Sequence, residues 1–287
     1  MSSETSPDTT LSTYTASDGD NLAVQDWHLP EDQRPRAMIV LVHGLGEHAG
    51  RYDHVAKRLV AWGFAVRGYD QYGHGESGGT RGALPKVNRF FDDLADIVDS
   101  ARSRGGPGVP LVLLGHSMGG LVAAGFAARG VMPIDGLVLS SPALATRMSG
   151  FQKVLLNIVP RIAPNFTVNN GLEVEYISHD PAVVEAYRND PLVHDRVSGR
   201  LGRFIADEGP LVLSKAPGWK VPTLLMFAGG DRLVDPRGSR DFAVVAPRAV
   251  VTSHCFEDLW HEIFNERDAE PVFAALKQWL DARFPAT

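Results

Sequence analysis

The residues whose types and spacing most clearly indicate catalysis lie in the segment 115–119, GHSMG, which has the spacing G-x-S-x-G. An apolar run at 110–114 precedes this segment, and a run of small and apolar residues at 121–129 follows it. Such a spacing between a strand and a helix is typical of a reactive serine in a tight turn, whose neighbours must be very small. We predict that Ser117 is a nucleophile; the alternative is a plain glycine-rich turn.

A serine hydroxyl is a weak nucleophile at neutral pH and needs a histidine base that is oriented by a carboxylate. The expected chain order is serine, then Asp or Glu, then histidine. Asp231 follows the apolar run 222–227, and His261 follows the last predicted strand. Reactive groups collect at the carboxyl ends of such strands, so we predict Asp231 as the carboxylate and His261 as the base.

Asp235 and His254 are the alternatives to these two residues. Asp235 lies four residues after Asp231, in a position from which it would cap the next helix. His254 lies at or near the last strand, which favours a structural role. His179 and His194 fall in a helical insertion and are predicted to be surface or packing residues.

The oxygen that becomes negative during attack on an ester needs two hydrogen-bond donors. One predicted donor is the backbone N–H of Met118, the residue after the serine. The other is the backbone N–H of Leu45, in the glycine-containing loop that follows the strand Met38–Val42. The two donors would form an oxyanion hole.

An alternative role for His43 and His48, two histidines in that loop, is to bind a metal ion. No further histidine or carboxylate occurs at a spacing suitable for a metal site. A second glycine-rich loop, residues 70–78, has neither a P-loop lysine nor a dinucleotide-binding motif. We therefore predict that Asp70 and His74 brace the site. No metal or organic cofactor is expected.

These residues must be positioned by a sheet whose strands are buried on both faces, because short and nearly continuous apolar runs recur along the chain. Helical patterns separate most of the runs. Those at 87–102 and 269–284 are amphipathic, a shorter one near 55–60 has an apolar face, and the one at 121–129 is small and apolar throughout. A looser alternation at 11–29, around a turn at 17–20, predicts an antiparallel hairpin. The predicted strands are 38–42, 64–66, 110–114, 136–139, 222–227 and 249–252. The order predicts a doubly wound, mostly parallel α/β sheet with an N-terminal hairpin.

The alternation of strands and helices stops between about residues 143 and 219, where no convincing strand is predicted. An apolar stripe there is formed by Phe151, Val154, Leu155, Ile158, Val159 and Ile162. We predict a core of residues 1–142 and 220–287 with a helical cap inserted at 143–219.

Composition sets the class. The chain has 287 residues, 44% hydrophobic and 22% charged, with a net charge of −6, as in ordinary globular proteins and unlike nucleic-acid-binding ones. Its single cysteine, Cys255, excludes an internal disulfide.

The first 21 residues lack the features of a signal peptide, so a cytoplasmic protein is expected. The uncharged window 109–128 has the length of a membrane span, but its central glycines favour a strand, a turn and a helix.

Several stretches together resemble the monoacylglycerol lipase and lysophospholipase-like group of the α/β-hydrolase superfamily. The pairing of HGLGEH with HEIFNE is much more specific to this group than GHSMG, which all α/β-hydrolases share in form. The resemblance covers nearly the whole chain from the third strand onward. The matching stretches are HGLGEHAGRY (43–52), GHGES (73–77), GHSMGG (115–120), YRNDPLVHDR (187–196), GDRLVDP (230–236) and WHEIFNE (260–266).

The resemblance implies the same serine, aspartate and histidine and the same two oxyanion donors. It also implies that Glu47, Arg51 and Tyr187 hold the glycerol end of a monoacylglycerol. Other roles for these three are a helix-start ion pair between Glu47 and Arg51, and packing by Tyr187. The substrate expected from the resemblance is a single-chain acyl ester, and the cap would line or close an acyl channel.

Other functions use the same residues. A lysophospholipase or broad carboxylesterase is the nearest alternative, and haloperoxidase or peptidase chemistry is more distant. Epoxide hydrolases and dehalogenases need a carboxylate at position 117 and do not fit. A non-catalytic scaffold that binds a ligand is the remaining class. No nucleic-acid partner is expected, and contact of the cap with a membrane surface stays open.

Overall fold

The computed structural model describes residues 9–146 and 162–286, and its centre is an eight-stranded β-sheet. The strands are β1 (Thr9–Thr15), β2 (Asn21–Trp27), β3 (Met38–Val42), β4 (Ala65–Tyr69), β5 (Leu111–His116), β6 (Gly136–Ser140), β7 (Thr167–Asn169), β8 (Arg196–Ser198), β9 (Thr223–Ala228) and β10 (Val251–Phe256). The order in the sheet is β1-β2-β4-β3-β5-β6-β9-β10, with β7 and β8 in a separate pair. All neighbours from β4 to β10 are parallel, whereas β2 is antiparallel to β1 and β4. The predicted sheet and its N-terminal hairpin are confirmed.

Helices cover both faces of the sheet, as a parallel sheet requires. Side chains alternate along β3, so that Val40 joins one hydrophobic core and Ile39 and Leu41 join the other. The second and third helices pack in the first core, and the first and last helices pack in the second. The helices are α1 (Asp53–Ala61), α2 (Arg89–Gly105), α3 (Ser117–Arg129), α4 (Pro181–Asn189), α5 (Gly199–Lys215), α6 (Pro236–Val245) and α7 (Glu270–Arg283).

The uncharged window 109–128 is divided by the turn at Ser117 into β5 and most of α3. Both elements are buried, which explains why the window carries no charge. In the part of the chain that the structure describes, no helix is long and apolar enough to cross a membrane.

Two sequence predictions differ from the structure. The last strand, β10, begins at Val251 and ends at Phe256, later than the predicted 249–252, because its polar residues 252–254 interrupt the apolar pattern at the edge of the sheet. The region 143–219 also contains strands, since β7 and β8 pair antiparallel. Each has only three residues, too few for an alternating pattern to be recognised.

The inserted region contacts the rest of the molecule at several points. Helix α5 packs on α3, with Leu201 and Phe204 buried in the first core. The backbone N–H of His194 donates to the carbonyl of Gly46 at 2.8 Å, so the insertion is bonded to the loop after β3. Five positions of the predicted apolar stripe, 151–159, lie outside the described residues, and Ile162 is exposed.

A buried ion pair joins the antiparallel strand β2 to β4. Asp26 and Arg67 are cross-strand partners, and Arg67 Nε and Nη2 donate to the two carboxylate oxygens at 2.7 and 2.9 Å. Their side chains are only 3% and 6% exposed. Such a pair is costly to break on one side, because the remaining charge is left buried without a partner.

We expect Asp26→Asn to lower the free energy of unfolding by about 3–5 kcal/mol, measured by urea denaturation. The matched control is Glu175→Gln, which removes a carboxylate from an exposed pair with Arg188 and should cost at most about 1 kcal/mol. Equal midpoints for the two variants would contradict the stabilising role of the buried pair.

Candidate active site

Ser117 is the first residue of α3 and directly follows β5. Its φ angle is +53°, in the left-handed region that residues with side chains seldom adopt. The turn is feasible because its neighbours are glycines. A Cβ atom on Gly115 would lie 2.5 Å from the Gly119 carbonyl oxygen, and one on Gly119 would overlap the carbonyl oxygens of Val42 and His43. The strand therefore turns into a helix at the serine itself.

Two hydrogen bonds join Ser117 to a histidine and a carboxylate. His261 Nε2 lies 2.9 Å from Ser117 Oγ, and His261 Nδ1 lies 2.6 Å from Asp231 Oδ2. The other carboxylate oxygen of Asp231 accepts the N–H groups of Leu233 and Val234, both at 2.9 Å. Asp231 and His261 are buried, and they lie in the loops after β9 and β10. Three residues that are distant in sequence thus form one hydrogen-bonded chain.

The alternative residues have other contacts. Asp235 caps α6 and accepts the Arg237 N–H at 3.1 Å. His254 lies within β10. His179 makes a hydrogen bond of 2.8 Å to Glu266, where the inserted region contacts the loop after β10.

The charges around His261 favour its protonated form. Burial by itself lowers the pKa of this histidine, but the charge and hydrogen bond of Asp231, with smaller effects from Glu262 and Glu47, raise it above the usual 6.5. Burial raises the pKa of Asp231, but His261 and the N–H groups after it hold the pKa below its usual value. An ionised carboxylate therefore stands ready to stabilise an imidazolium.

The loop after β3 passes directly against the serine. A Cβ atom on Gly44 would lie 3.2 Å from Ser117 Cβ. Leu45 in this loop and Met118 in the first turn of α3 line the same cavity as Ser117. The first backbone N–H groups of a helix have no partner within the helix and attract negative charge. The structure thus brings the two predicted donors to the serine.

Glu47 holds this loop in place. The Gly44 N–H and the Tyr52 hydroxyl both donate to Oε1, at 2.5 and 2.7 Å, and Arg51 Nη1 donates to Oε2 at 2.5 Å. Burial favours a raised pKa for Glu47, but Arg51, two nearby histidines and the Tyr52 hydroxyl lower it to about 2. Glu47 is therefore ionised, and both of its oxygens are engaged by the protein.

Arg51 also binds a second carboxylate. Its Nη1 and Nη2 donate to the two oxygens of Glu262 at 2.7 and 2.8 Å, and its guanidinium carbon lies 4.6 Å from the centre of the Tyr187 ring. The Arg51 side chain is only 10% exposed. Glu47, Tyr187 and Glu262 line the cavity beside Ser117. The structure therefore brings together the three residues that the resemblance assigned to the glycerol end.

The cavity that opens at Ser117 has a volume of about 610 Å³ and a mostly apolar wall. It lies between the sheet edge and the inserted region, which contributes many of its residues. Among the described residues, the wall has the apolar side chains of Leu45, Met118, Ala143, Ala145, Phe166, Val168, Leu172, Ile177, Val197, Ile205, Leu233 and Val234. Such a wall suits an acyl chain.

Arg232, a cationic residue, also lines this cavity. Arg232 is exposed, and its guanidinium carbon lies 4.5 Å from the ring centre of Tyr176 and 5.1 Å from that of Trp260. Rings on which a guanidinium stacks hold it in position while leaving its N–H groups available.

The second glycine-rich loop braces the site from behind. His43 Nε2 accepts the backbone N–H of Gln71 at 2.9 Å, and the Asp70 carboxylate accepts two backbone N–H groups at 2.8 Å. His74 is buried, with its ring centre 4.7 Å from that of His194. Asp70 and His74 thus brace the loops, as predicted.

Within residues 9–146 and 162–286, no three His, Cys, Asp or Glu side chains are grouped as metal ligands.

Glu262 and Arg232 are two residues of this site that the sequence interpretation missed. Each is a charged residue directly after a predicted one, Glu262 after His261 and Arg232 after Asp231. Charge next to a predicted base or carboxylate was the signal that could have found them.

The fold and the site define a class. A mostly parallel sheet carries a serine after β5, a carboxylate after β9 and a histidine after β10, which is the arrangement of an α/β-hydrolase. The chain belongs to the serine aminopeptidase (S33) family, whose model matches residues 33–268.

Individual relatives indicate the kind of bond that the enzyme cleaves. The chain is 35% identical over 253 residues to a monoacylglycerol lipase of Mycolicibacterium smegmatis, covering 87% of this chain and 89% of the relative. It is 36% identical over 262 residues to the phospholipase YtpA of Bacillus subtilis, covering 86% and 96%. The crystal structure of Paleococcus ferrophilus monoacylglycerol lipase matches with a TM-score of 0.83 and 35% identity, covering 91% and 99%. The resemblance is confirmed: the protein is a carboxylic ester hydrolase, and its relatives support activity on lipid esters.

The pKa shift of His261 leads to a prediction about pH. Since a protonated histidine cannot accept a proton, kcat/KM should fall as the pH falls through a pKa above 6.5. In Asp231→Asn the main raising influence is lost while burial remains, so this acid limb should move to lower pH. We also expect kcat to fall on the order of 10⁴-fold.

The measurement is the pH dependence of hydrolysis of a water-soluble ester. Asp235→Asn is the control, because Asp235 caps α6 and should leave the acid limb in place. A wild-type profile that stays flat down to about pH 5, well below the usual histidine pKa, would refute His261 as the base. A shift in Asp235→Asn would indicate the other carboxylate.

Proposed function

We propose that the protein hydrolyses the ester bond of monoacylglycerols through an acyl-enzyme intermediate on Ser117. The observation that carries this proposal is the hydrogen-bonded chain from Ser117 through His261 to Asp231, in the wall of an apolar cavity. The monoacylglycerol lipases among its relatives support the choice of substrate.

In the first half of the reaction His261 Nε2 takes the proton from Ser117 Oγ as the oxygen attacks the acyl carbonyl. The resulting imidazolium is stabilised by Asp231, which also keeps the ring oriented. The negative oxygen of the tetrahedral intermediate accepts hydrogen bonds from the Leu45 and Met118 N–H groups. Each such donor contributes roughly 3–4 kcal/mol to transition-state stabilisation. His261 then gives its proton to the departing glycerol oxygen.

In the second half water takes the place of glycerol. His261 removes a proton from the water as it attacks the acyl carbonyl, and Ser117 leaves with that proton. The fatty acid is released and the serine hydroxyl is restored.

The cavity supports the assignment of the two ends of the substrate. The apolar wall, much of it from the insertion 143–219, takes the acyl chain, and we propose that this insertion acts as a cap. At the polar end, Glu47 and Tyr187 line the cavity next to Ser117. We propose that the Tyr187 hydroxyl contacts the glycerol, because both Glu47 oxygens are already engaged.

Replacing the nucleophile tests this proposal. We expect Ser117→Ala to lower kcat by more than about 10⁴-fold, measured by titration of the fatty acid released from a monoacylglycerol. A fluorophosphonate should add to the wild type at Ser117 and fail to add to the variant, as read by mass spectrometry.

The matched control is Ser214→Ala, which removes an exposed hydroxyl on α5 that bonds only to the helix carbonyl of Leu211 among the contacts described. This variant should keep wild-type activity. Full turnover by folded Ser117→Ala would overturn the nucleophile and the proposed reaction.

A second candidate substrate is a lysophospholipid, and Arg232 is the observation that favours it. Its guanidinium lines the cavity on a base of two aromatic rings, where a phosphate would find N–H donors. A relative of this chain is a phospholipase. Glu173 lines the same cavity, and its negative charge opposes a phosphate, which ranks this candidate second.

We expect the wild type to prefer a monoacylglycerol over a lysophosphatidate of the same acyl chain, measured as kcat/KM. Arg232→Gln should then change both values by less than about twofold. If a phosphate binds there, the variant should lose about tenfold or more on the lysophosphatidate alone, the equivalent of a charged hydrogen bond. That result, with a wild-type preference for the lysophospholipid, would replace the monoacylglycerol proposal.

A further inference from the structure

Arg51 lies where three parts of the active site meet. Its guanidinium bonds to Glu47 of the loop after β3 and to Glu262 of the loop after β10, and it packs on the ring of Tyr187 from the insertion. We propose that Arg51 and Glu262 are a positioning pair with no contact to glycerol. The pair fixes the loop after β3, which carries Leu45, relative to the loop after β10, which carries His261. This role rests on the proposed function, in which the two loops act on one carbonyl group.

On the oxyanion side the connection is short. Arg51 Nη1 donates to Glu47 Oε2, and Glu47 Oε1 accepts the N–H of Gly44 at 2.5 Å. Gly44 is the residue before Leu45, whose N–H is the proposed oxyanion donor. A shift of the Arg51 guanidinium would therefore move the donor through two hydrogen bonds and one peptide unit.

On the base side the connection is direct. Glu262 follows His261, and both of its oxygens accept hydrogen bonds from Arg51, at 2.7 and 2.8 Å. The Glu262 backbone N–H donates to the carbonyl of Ile177 at 2.8 Å, and Asn265 Nδ2 donates to Oε2 at 2.7 Å. A two-pronged guanidinium–carboxylate pair is more directional than a single bond, so it suits the positioning of a catalytic loop.

The same contacts argue against Arg51 as a glycerol ligand. The Arg51 side chain is 10% exposed, and its two terminal nitrogens already donate to carboxylates. The Tyr187 ring covers its face, while Tyr187 itself lines the cavity. A substrate hydroxyl would have to displace a buried ion pair to reach the guanidinium, which is costly.

The charges explain why the positions of the two loops are sensitive to the loss of Arg51. One guanidinium serves two buried carboxylates, Glu47 and Glu262. If the guanidinium is removed, these carboxylates repel each other across the space beside His261, and the loops that carry them separate. Displacement of a reacting group by about 1 Å can cost about 100-fold in rate.

The experiment compares Arg51→Gln with the wild type on two esters of the same fatty acid, a monoacylglycerol and a p-nitrophenyl ester, which has no glycerol. We expect kcat to fall by about tenfold to 100-fold on both, with KM changed by less than about twofold. A rise of KM on the monoacylglycerol alone would assign Arg51 to glycerol and overturn the positioning role. Unchanged kcat on both would overturn it as well.

A matched control comes from the same region of the chain. Arg58 lies in α1 and pairs with exposed Glu270, so Arg58→Gln makes the same chemical change away from the site and should leave kcat unchanged. Thermal unfolding of each variant separates lost positioning from lost folding, since a folded Arg51→Gln enzyme must still show the fall in kcat.

Glu262→Gln tests the partner, because it removes the charge while keeping the size of the side chain. We expect kcat to fall on both esters. If Arg51 and Glu262 act through each other, the double variant should lose no more than the worse single variant. Independent, multiplying losses would contradict a pair.

The two substrates separate this inference from the proposed function. If the wild type hydrolyses the nitrophenyl ester and rejects monoacylglycerols, the substrate assignment fails, and the positioning role is still decided on the nitrophenyl ester. If the wild type hydrolyses neither, both proposals fail.

Discussion

The whole site depends on one close approach of backbone to backbone. At Gly119, helix α3 lies against the carbonyl oxygens of Val42 and His43 at the end of β3, where no side chain fits. This approach lets β5 turn into α3 within one residue and holds Ser117 at a φ of +53°, a conformation that costs of order 1–3 kcal/mol. The packing of β3, β5 and α3 in the core maintains it. As a result the serine, the helix N-terminus and the loop of Leu45 share one small space.

Fixed charges surround this turn. Two backbone N–H groups hold one oxygen of Asp231, and the other oxygen bonds to His261. In the same way, the N–H of Gly44 holds one oxygen of Glu47, and the other bonds to Arg51. Each carboxylate therefore keeps its place while charge develops on the substrate, so little reorganisation is needed during the reaction. Buried charges would be costly alone, but here each has a partner within 3 Å.

Much of the fold and the constellation at Ser117 could be predicted from local patterns. Apolar runs identified the strands of the sheet, because strands covered on both faces need no polar residues. The edge strand β10 was displaced in the prediction, since its polar residues face solvent in part. The three-residue strands β7 and β8 were missed because they are too short to show a period. Contacts such as Arg51 with Glu262, 211 residues apart, leave no local pattern at all.

The sequence by itself determined the α/β class and predicted that Ser117, Asp231 and His261 act together, because glycine spacing, strand ends and chain order can be read from the sequence. Only the tertiary structure decided what the charged residues beside them do. Glu47 and Arg51 have the composition of a polar substrate site, yet folding brings Gly44, Tyr52 and Glu262 onto their hydrogen-bonding atoms. Glu262 is 211 residues from Arg51 in the sequence, so the contact that turns the Arg51 guanidinium toward the protein exists only in the folded chain.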